Sequence, residues 1–205
     1  MNNKIVLIAG GSASGKTYVV NEVLKRLGTE NITHISMDDY YKDLTNLTME
    51  ERKKVNFDHP KSIDWKLFRE QIEELKNGKE IKKPIYDFTV HNRSDKYEII
   101  KPKKIIIIEG IMALVDSKVR NYADIKVFIN CIRERRFLRR LIRDHEERAR
   151  DYVNIIEQYF STVQPMFEEV IQPSKNYADL ILENSGIENK AIDLLCHVLA
   201  EELDK

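Results

Sequence analysis

Five short runs dominated by β-branched residues punctuate the chain: KIVLIA, NITHISM, KKIIIIEG, DIKVFI and ADLILE. Each is apolar nearly throughout rather than alternating, which is the pattern of strands buried on both faces, and segments of helical periodicity separate them. The expectation is an α/β fold in three layers, a five-stranded parallel sheet between helices. The first helical segment, TYVVNEVLKRLG, has Lys25 and Arg26 in its last turn to complement the helix dipole and Gly28 to supply a left-handed residue beyond it.

Between the second and third strands lie roughly residues 38–103, more than a minimal crossover needs. The pattern there predicts a helix over SIDWKLFREQIEELKNG with Ser62 as its N-cap. It then predicts a hairpin over KKPIYDFTVHNRSDKYEIIKP, its extended halves flanking a polar HNRSDK turn. This insertion is expected to lie over the ligand edge of the sheet. After the fourth strand comes an arginine-dense helix, RERRFLRRLIRDHEERAR, in which Glu134, Asp144, Glu146 and Glu147 interleave with the arginines as ion pairs of a solvated face. A long helical stretch interrupted near Pro165 and Pro173 follows, then the last strand and a closing amphipathic helix, AIDLLCHVLAEEL. With neither repeats nor a low-complexity linker, residues 1–205 read as one domain.

Composition narrows the function classes. Lys plus Arg number 34 and Asp plus Glu number 34, so no overall basic field points to nucleic acid or an anionic membrane. Cys131 and Cys196 stand far apart without metal-ligating neighbours, which suits free thiols in a reducing compartment. No signal-peptide pattern precedes the first strand and no apolar run reaches the length of a membrane span, so a cytoplasmic location without a membrane partner is expected.

The chemistry starts at GGSASGKT, residues 10–17, between the first strand and the first helix. The spacing of Gly10, Gly15, Lys16 and Thr17 is that of a P-loop. Backbone N–H groups from Gly10, Gly11, Ser12, Ala13, Ser14 and Gly15 close on phosphate oxygens, Lys16 offsets β/γ charge, and Thr17 is placed to hold Mg²⁺. Three uses of a bound nucleotide compete: phosphoryl transfer to a small acceptor, a GTPase switch, and a motor or nucleic-acid-remodelling ATPase. NKAID, Asn189 to Asp193, misses the guanine-reading N-K-x-D pattern by one residue, and the third strand ends in EG rather than D-x-x-G. A motor needs sensor modules or domains for which 205 residues leave no room. A small-molecule kinase fits best. In SMDDYYKD, Asp38 should emerge at the carboxyl edge of the sheet, where it can accept a proton from an attacking hydroxyl, with Asp39 a bystander. Glu109, at the end of the third strand, is either a helper that positions Mg²⁺ or a structural acid.

The stretches GGSASGKT, SMDDYY, NFDHP, PIYDFTVHNR, EGI, RRLIRDHEERAR and QYFSTVQPMFEEVIQPSKNYADLIL together resemble the uridine kinase (uridine-cytidine kinase) family of P-loop nucleoside kinases, in order and over nearly the whole chain. The resemblance implies Mg²⁺-dependent transfer of the γ-phosphoryl group of ATP or GTP to the 5′-hydroxyl of uridine or cytidine. It implies Asp38 as the base, with Thr17, Asp38 and Glu109 around the metal, and Asp58 as the reader of the ribose hydroxyls. It also implies a base pocket of Tyr41, Phe57, Tyr86, Phe88 and His91, with Arg93 either supporting His91 or facing water. Residues 133–172, approximately, would form a lid and the helices after it: Arg140 and Gln158 reach toward the nucleoside, and Arg143, Arg148 and Arg150 toward the phosphates. Where the family usually reads ERGR this chain has ERAR; Ala149 favours helix more than glycine does, so a stiffer hinge is expected. A homotetramer and feedback by CTP or UTP belong to the same implication. The rivals are kinases for other hydroxyl acceptors, such as pantothenate or ribulose 5-phosphate, which give no reason for PIYDF..H, and an RNA-binding NTPase. Against the latter stand neutral charge and the lack of an interleaved aromatic platform.

Overall fold

The computed structural model describes residues 3–186 and 190–204. Strands β1 (Lys4–Ala9), β2 (Ile32–Ser36), β5 (Ile105–Glu109), β6 (Ile125–Asn130) and β7 (Leu180–Glu183) form a sheet in the order β2-β5-β1-β6-β7. All four pairings are parallel. β1 is central because its residues are apolar on both faces. Ile5, Leu7 and Ala9 pack with Phe68, Ile72 and Leu75 of α3 (Trp65–Lys76), while Val6 and Ile8 pack with Val19, Val20 and Val23 of α1 (Lys16–Leu27) and with Leu195 and Leu199 of the closing helix (Lys190–Leu203). The register sets Ser36 and Ile8 beside Glu109 and Asn130 beside Glu183, so the carboxyl ends of the strands share one edge. This is the five-stranded parallel sheet that the apolar runs predict.

Several local expectations need correction. Gly28 has the positive φ expected of it, 80°, but with ψ at 163° it leaves the helix in an extended rather than a left-handed helical conformation. α3 is capped by Asp64, whose side chain accepts from Leu67 N–H at 3.2 Å. Ser62 instead closes the preceding 3-10 turn, its hydroxyl donating to the His59 carbonyl at 2.7 Å. A carboxylate two residues later is simply better placed to meet the exposed N–H groups.

The hairpin pairs β3 (Ile81–Asp87) with β4 (Asn92–Ile100), but its turn is residues 88–91, and most of HNRSDK belongs to β4. The cause is local. Asp87 accepts from both the N–H and the hydroxyl of Thr89, at 2.8 and 2.6 Å, and His91 takes a left-handed φ of 49°. His91 therefore stands in the turn, where the pattern places it, while Asn92 to Lys96 lie along the strand. Asp39 does not line the cavity at the carboxyl edge and instead has a structural role: it pairs with Lys83 and accepts from Tyr86 N–H at 3.2 Å, pinning the hairpin to the 3-10 turn Met37–Tyr40. Arg93 does not face water, because it donates to Asp64 and to the Tyr40 carbonyl, both at 3.2 Å.

α2 (Met49–Lys53) and α4 (Ser117–Tyr122) are short connectors; α5 (Arg133–Glu146) and α6 (Tyr152–Gln158) cover the carboxyl edge. From α6 the chain stays helical to residue 177, so the prolines do not interrupt it. Each proline follows a π-helical turn, Tyr159–Val163 before Pro165 and Phe167–Ile171 before Pro173. The wider turn leaves room for the ring and for the missing N–H.

α5 turns the usual amphipathic logic inside out. Its buried positions are Arg136, Arg140 and Asp144, four residues apart, while Leu138 and Ile142 are exposed. Asp144 is thus fully buried and is not part of a solvated face. Cys131 and Cys196 are free thiols. Asp193 of NKAID pairs with Arg26 at 2.5 Å, whereas Asn189 lies outside the described residues. Among the described residues no helix is long and apolar enough to cross a membrane.

Candidate active site

A cavity of about 670 Å³ opens at the carboxyl edge of the sheet between the P-loop, the hairpin turn and α5. Of the residues assigned in the sequence to catalysis, phosphate, metal or nucleoside binding, all but Gly10, Gly11 and Ser14 line it, and those three belong to the same loop; Asp39 and Arg93 do not line it. Fold and sequence spacing thus converge on one place.

The loop is held by its surroundings. Gly11 is obligatory for space, since a Cβ there would run into Arg136 and Phe167. Gly15, with φ of 92°, starts α1 without any side-chain cap, which leaves the first N–H groups of that helix free for an anion. Asn184 and Arg139 donate to the Ser14 carbonyl at 2.8 and 3.4 Å, and Arg140 donates to the Ser12 hydroxyl at 2.7 Å. The Lys16 ammonium donates to the Gly10 and Gly11 carbonyls, each at 3.1 Å. Burial lowers its pKa, and the nearby Glu109 and Asp38 charges oppose that shift.

Beyond Lys16 the Thr17 hydroxyl donates to Glu109 at 3.0 Å, and Asp38 stands close enough to feel the Glu109 charge. Burial and then Glu109 push the Asp38 carboxyl above the ordinary range, while Lys16, Arg148 and Arg143 pull it back. One hydroxyl and two carboxylates form a hard-oxygen set suited to Mg²⁺, an ion that keeps waters and phosphate oxygens for its remaining positions.

At the other end the walls are aromatic. Tyr41 meets Phe57 and Tyr86 edge-on, both at 5.1 Å, Phe88 meets Tyr86 at 5.1 Å, and the His91 ring stacks on Phe57 at 5.9 Å. Burial and the neighbouring Arg150 lower the His91 pKa, so the imidazole is neutral at neutral pH. Asp58 is 7% exposed, and among the described residues its carboxylate accepts no hydrogen bond and joins no ion pair. Burial raises its pKa, and Arg140 opposes the shift. A buried acid in that condition is a strong acceptor aimed into a cavity of nucleoside size.

The arginines are gathered by Asp144. It pairs with Arg143 at 2.7 Å, Arg140 and Arg150 at 3.4 Å and Arg148 at 3.6 Å, and Gln158 accepts from Arg140 and Arg150 at 3.0 and 2.7 Å. Burial alone would raise the Asp144 pKa; Arg143 and Arg140 more than reverse that and hold it low. Arg148 also lies over the Phe88 ring at 4.8 Å, joining the segment just after α5 to the hairpin. Ala149 does not prolong α5. The helix ends at Glu146 and Ala149 sits at φ of 50°, so its methyl adds strain where helix-favouring stiffness was expected. Asp144, Arg139 and Asn184 were missed in the sequence. Asn184 could have been found from its position just past the last strand, at the ligand edge.

A parallel sheet with a phosphate-binding loop after its central strand, an acid after β2 and arginines closing over both defines a P-loop kinase. The sequence model of the phosphoribulokinase / uridine kinase family matches residues 5–190. The chain belongs to that family. It is 42% identical to a uridine kinase of Staphylococcus haemolyticus over 95% of this chain and 94% of the other. It is 40% identical to a uridine kinase of Clostridium tetani, covering 98% and 96%. In fold it resembles a phosphoribulokinase from Rhodobacter spheroides (TM-score 0.65, 15% identity, 89% of this chain and 70% of that one). It also resembles a D-glycerate 3-kinase from Cryptococcus neoformans (TM-score 0.64, 15% identity, 89% and 87%).

Proposed function

We propose that this kinase transfers the γ-phosphoryl group of ATP or GTP to the 5′-hydroxyl of uridine or cytidine. The observation that carries the reading is Asp58, a buried carboxylate with no donor among the described residues, facing the same cavity as the aromatic walls, the P-loop and Asp38. Its two oxygens suit the 2′- and 3′-hydroxyls of a ribose, and a deoxyribose would leave it partly unpaired at a cost. Flat aromatic walls suit a pyrimidine. Neutral His91 donates to the 4-oxo group of uracil or accepts from the 4-amino group of cytosine according to its tautomer. That the chain is more than 40% identical to a named uridine kinase over nearly its whole length supports the same substrate.

In this reading Asp38 takes the proton of the 5′-hydroxyl as that oxygen bonds to the γ-phosphorus. The bond from phosphorus to the β,γ-bridging oxygen breaks, with its electron pair leaving on the nucleoside diphosphate. Mg²⁺, held by Thr17, Asp38 and Glu109, would supply positive charge against the phosphate oxygens. Lys16 and the backbone N–H groups of residues 10–15 hold the phosphates, and Arg143, Arg148 and Arg150 spread donors over the transferring group. Arg140 and Gln158 close the nucleoside end, and within residues 133–172, approximately the lid and the helices after it, the lid excludes water. Turning Arg140, Arg143 and Arg148 inward leaves little of a basic stripe for RNA, which disfavours that rival. A single kinase domain, a cytoplasmic homotetramer and feedback by CTP or UTP complete the reading on the strength of the family resemblance.

Asp38→Asn tests it. The variant should bind ATP and uridine by calorimetry yet lose turnover by about a thousandfold, given what a positioned base contributes. Near-normal turnover would remove Asp38 from its role.

A further inference from the structure

Among the described residues Arg136 is the largest fully buried side chain, 2% exposed, yet no carboxylate among them lies within ion-pair distance of it. Its Nε donates to the Cys131 carbonyl at 3.2 Å, and one terminal nitrogen reaches the Gln164 side-chain oxygen only at 3.5 Å. The other terminal nitrogen, Nη1, is buried without any hydrogen-bond partner. The guanidinium carbon lies 3.6 Å over the Phe167 ring. That nitrogen stands against Gly11, in the space a Cβ would take, and the Gly11 carbonyl receives the Lys16 ammonium at 3.1 Å. A full positive charge is thus buried behind the phosphate-binding loop, next to a second one, with only neutral partners. Isolated buried charges are costly and are ordinarily paired. Here burial lowers even the arginine pKa.

Arg136 does not line the cavity, so it cannot touch a ligand there. It can act on one through the loop, by its field in a region of low polarisability. We infer that Arg136 is a positioning charge for the phosphoryl donor, its missing counter-charge being the phosphate chain that the loop binds. This rests on the reading of that loop as a nucleoside triphosphate site. Donor binding then removes an electrostatic penalty that the free enzyme carries, so Arg136 strengthens triphosphate affinity at the expense of the free protein's stability. Inverse effects of this kind distinguish it from a side chain that merely fills space.

The experiment is Arg136→Met, which keeps an unbranched side chain against Phe167 and removes the charge. Unfolding temperatures of the free protein, and calorimetric affinities for AMP, ADP, ATP and uridine, are measured for both proteins. The free variant should melt no lower than the parent. Its ATP affinity should fall at least tenfold and its ADP affinity less, while AMP and uridine stay within about threefold, following the charge each brings. A lower melting temperature with ATP, ADP, AMP and uridine weakened alike would overturn the inference and leave Arg136 a structural residue. If Arg136→Met does not fold, Arg136→Lys decides. Retaining charge without the planar stack, it should keep the parent's ATP to AMP affinity ratio within about threefold, and a ratio collapsing toward one would overturn the inference. Failure of the parent itself to bind ATP would contradict the proposed function instead.

Discussion

Replacing Asp144 by asparagine removes one negative charge and little else, since the two side chains have nearly the same shape. Breaking a buried ion pair by neutralising one member costs about 3–5 kcal/mol, because the other member stays buried and unpaired. Here the partners differ in their access to water. The Arg140 side chain is 7% exposed, but those of Arg143, Arg148 and Arg150 are 30%, 34% and 28% exposed and can turn outward. The loss should therefore lie at the lower end, about 3 kcal/mol, or about 6–12 °C in unfolding midpoint for a chain of this size. Because the folded pKa of Asp144 lies below its unfolded value, its stabilisation is present above about pH 3.9 and is lost as pH falls through the folded value. Asparagine lacks that contribution at every pH. The gap between parent and variant in thermal or urea unfolding should be full at pH 7 and narrow below about pH 4. A midpoint unchanged at pH 7, or a gap that stays constant into acid, would refute the view that Asp144 holds the arginines together.

Two further substitutions probe the site and its edge. His91→Ala should lower kcat/KM for uridine and for cytidine by about fivefold each, the worth of one hydrogen bond, while the KM for ATP moves little; unchanged kcat/KM on both nucleosides, or a loss seen in the ATP KM instead, would deny it a base-reading role. Ala149→Gly relieves a left-handed methyl worth about 1–2 kcal/mol against a greater unfolded-state entropy of about 0.4–1 kcal/mol, so it should stabilise the protein by about 0.5–1 kcal/mol in urea unfolding. A destabilised Ala149→Gly would contradict the strain.

What the sequence makes legible follows from how far each signal reaches along the chain. Ile105 to Ile108 are buried on both faces of the sheet, so their apolarity alone announces a central strand. Gly10 to Thr17 form one loop whose spacing is fixed by the phosphate they surround, and it too can be read locally. Asp58 and His91 were legible only through resemblance, because a carboxylate before His59 and Pro60, or a histidine in a hairpin, looks like an ordinary turn residue until the tertiary structure encloses it. Asp144 was misread for a similar reason. Alternating arginines and acids give the same pattern on a solvated face as on the inner face of α5, and only packing against the P-loop separates the two. The hairpin turn was displaced because Asp87 and Thr89 form a side-chain turn that competes with the more polar segment after it. The prolines were read as breaks because a π-helical turn, the device that accommodates them, leaves no simple mark in residue type.

The most direct measurement is nucleoside diphosphate release with Mg-ATP across uridine, cytidine, deoxycytidine, adenosine, pantothenate and ribulose 5-phosphate, with each product weighed by mass spectrometry. Turnover is expected on uridine and cytidine, each gaining one phosphoryl group, and little on the other four. Efficient phosphorylation of deoxycytidine, or of an acceptor without a pyrimidine, would contradict the roles given to Asp58 and to the aromatic pocket. Silence on both uridine and cytidine, with ATP still bound, would contradict the central claim itself.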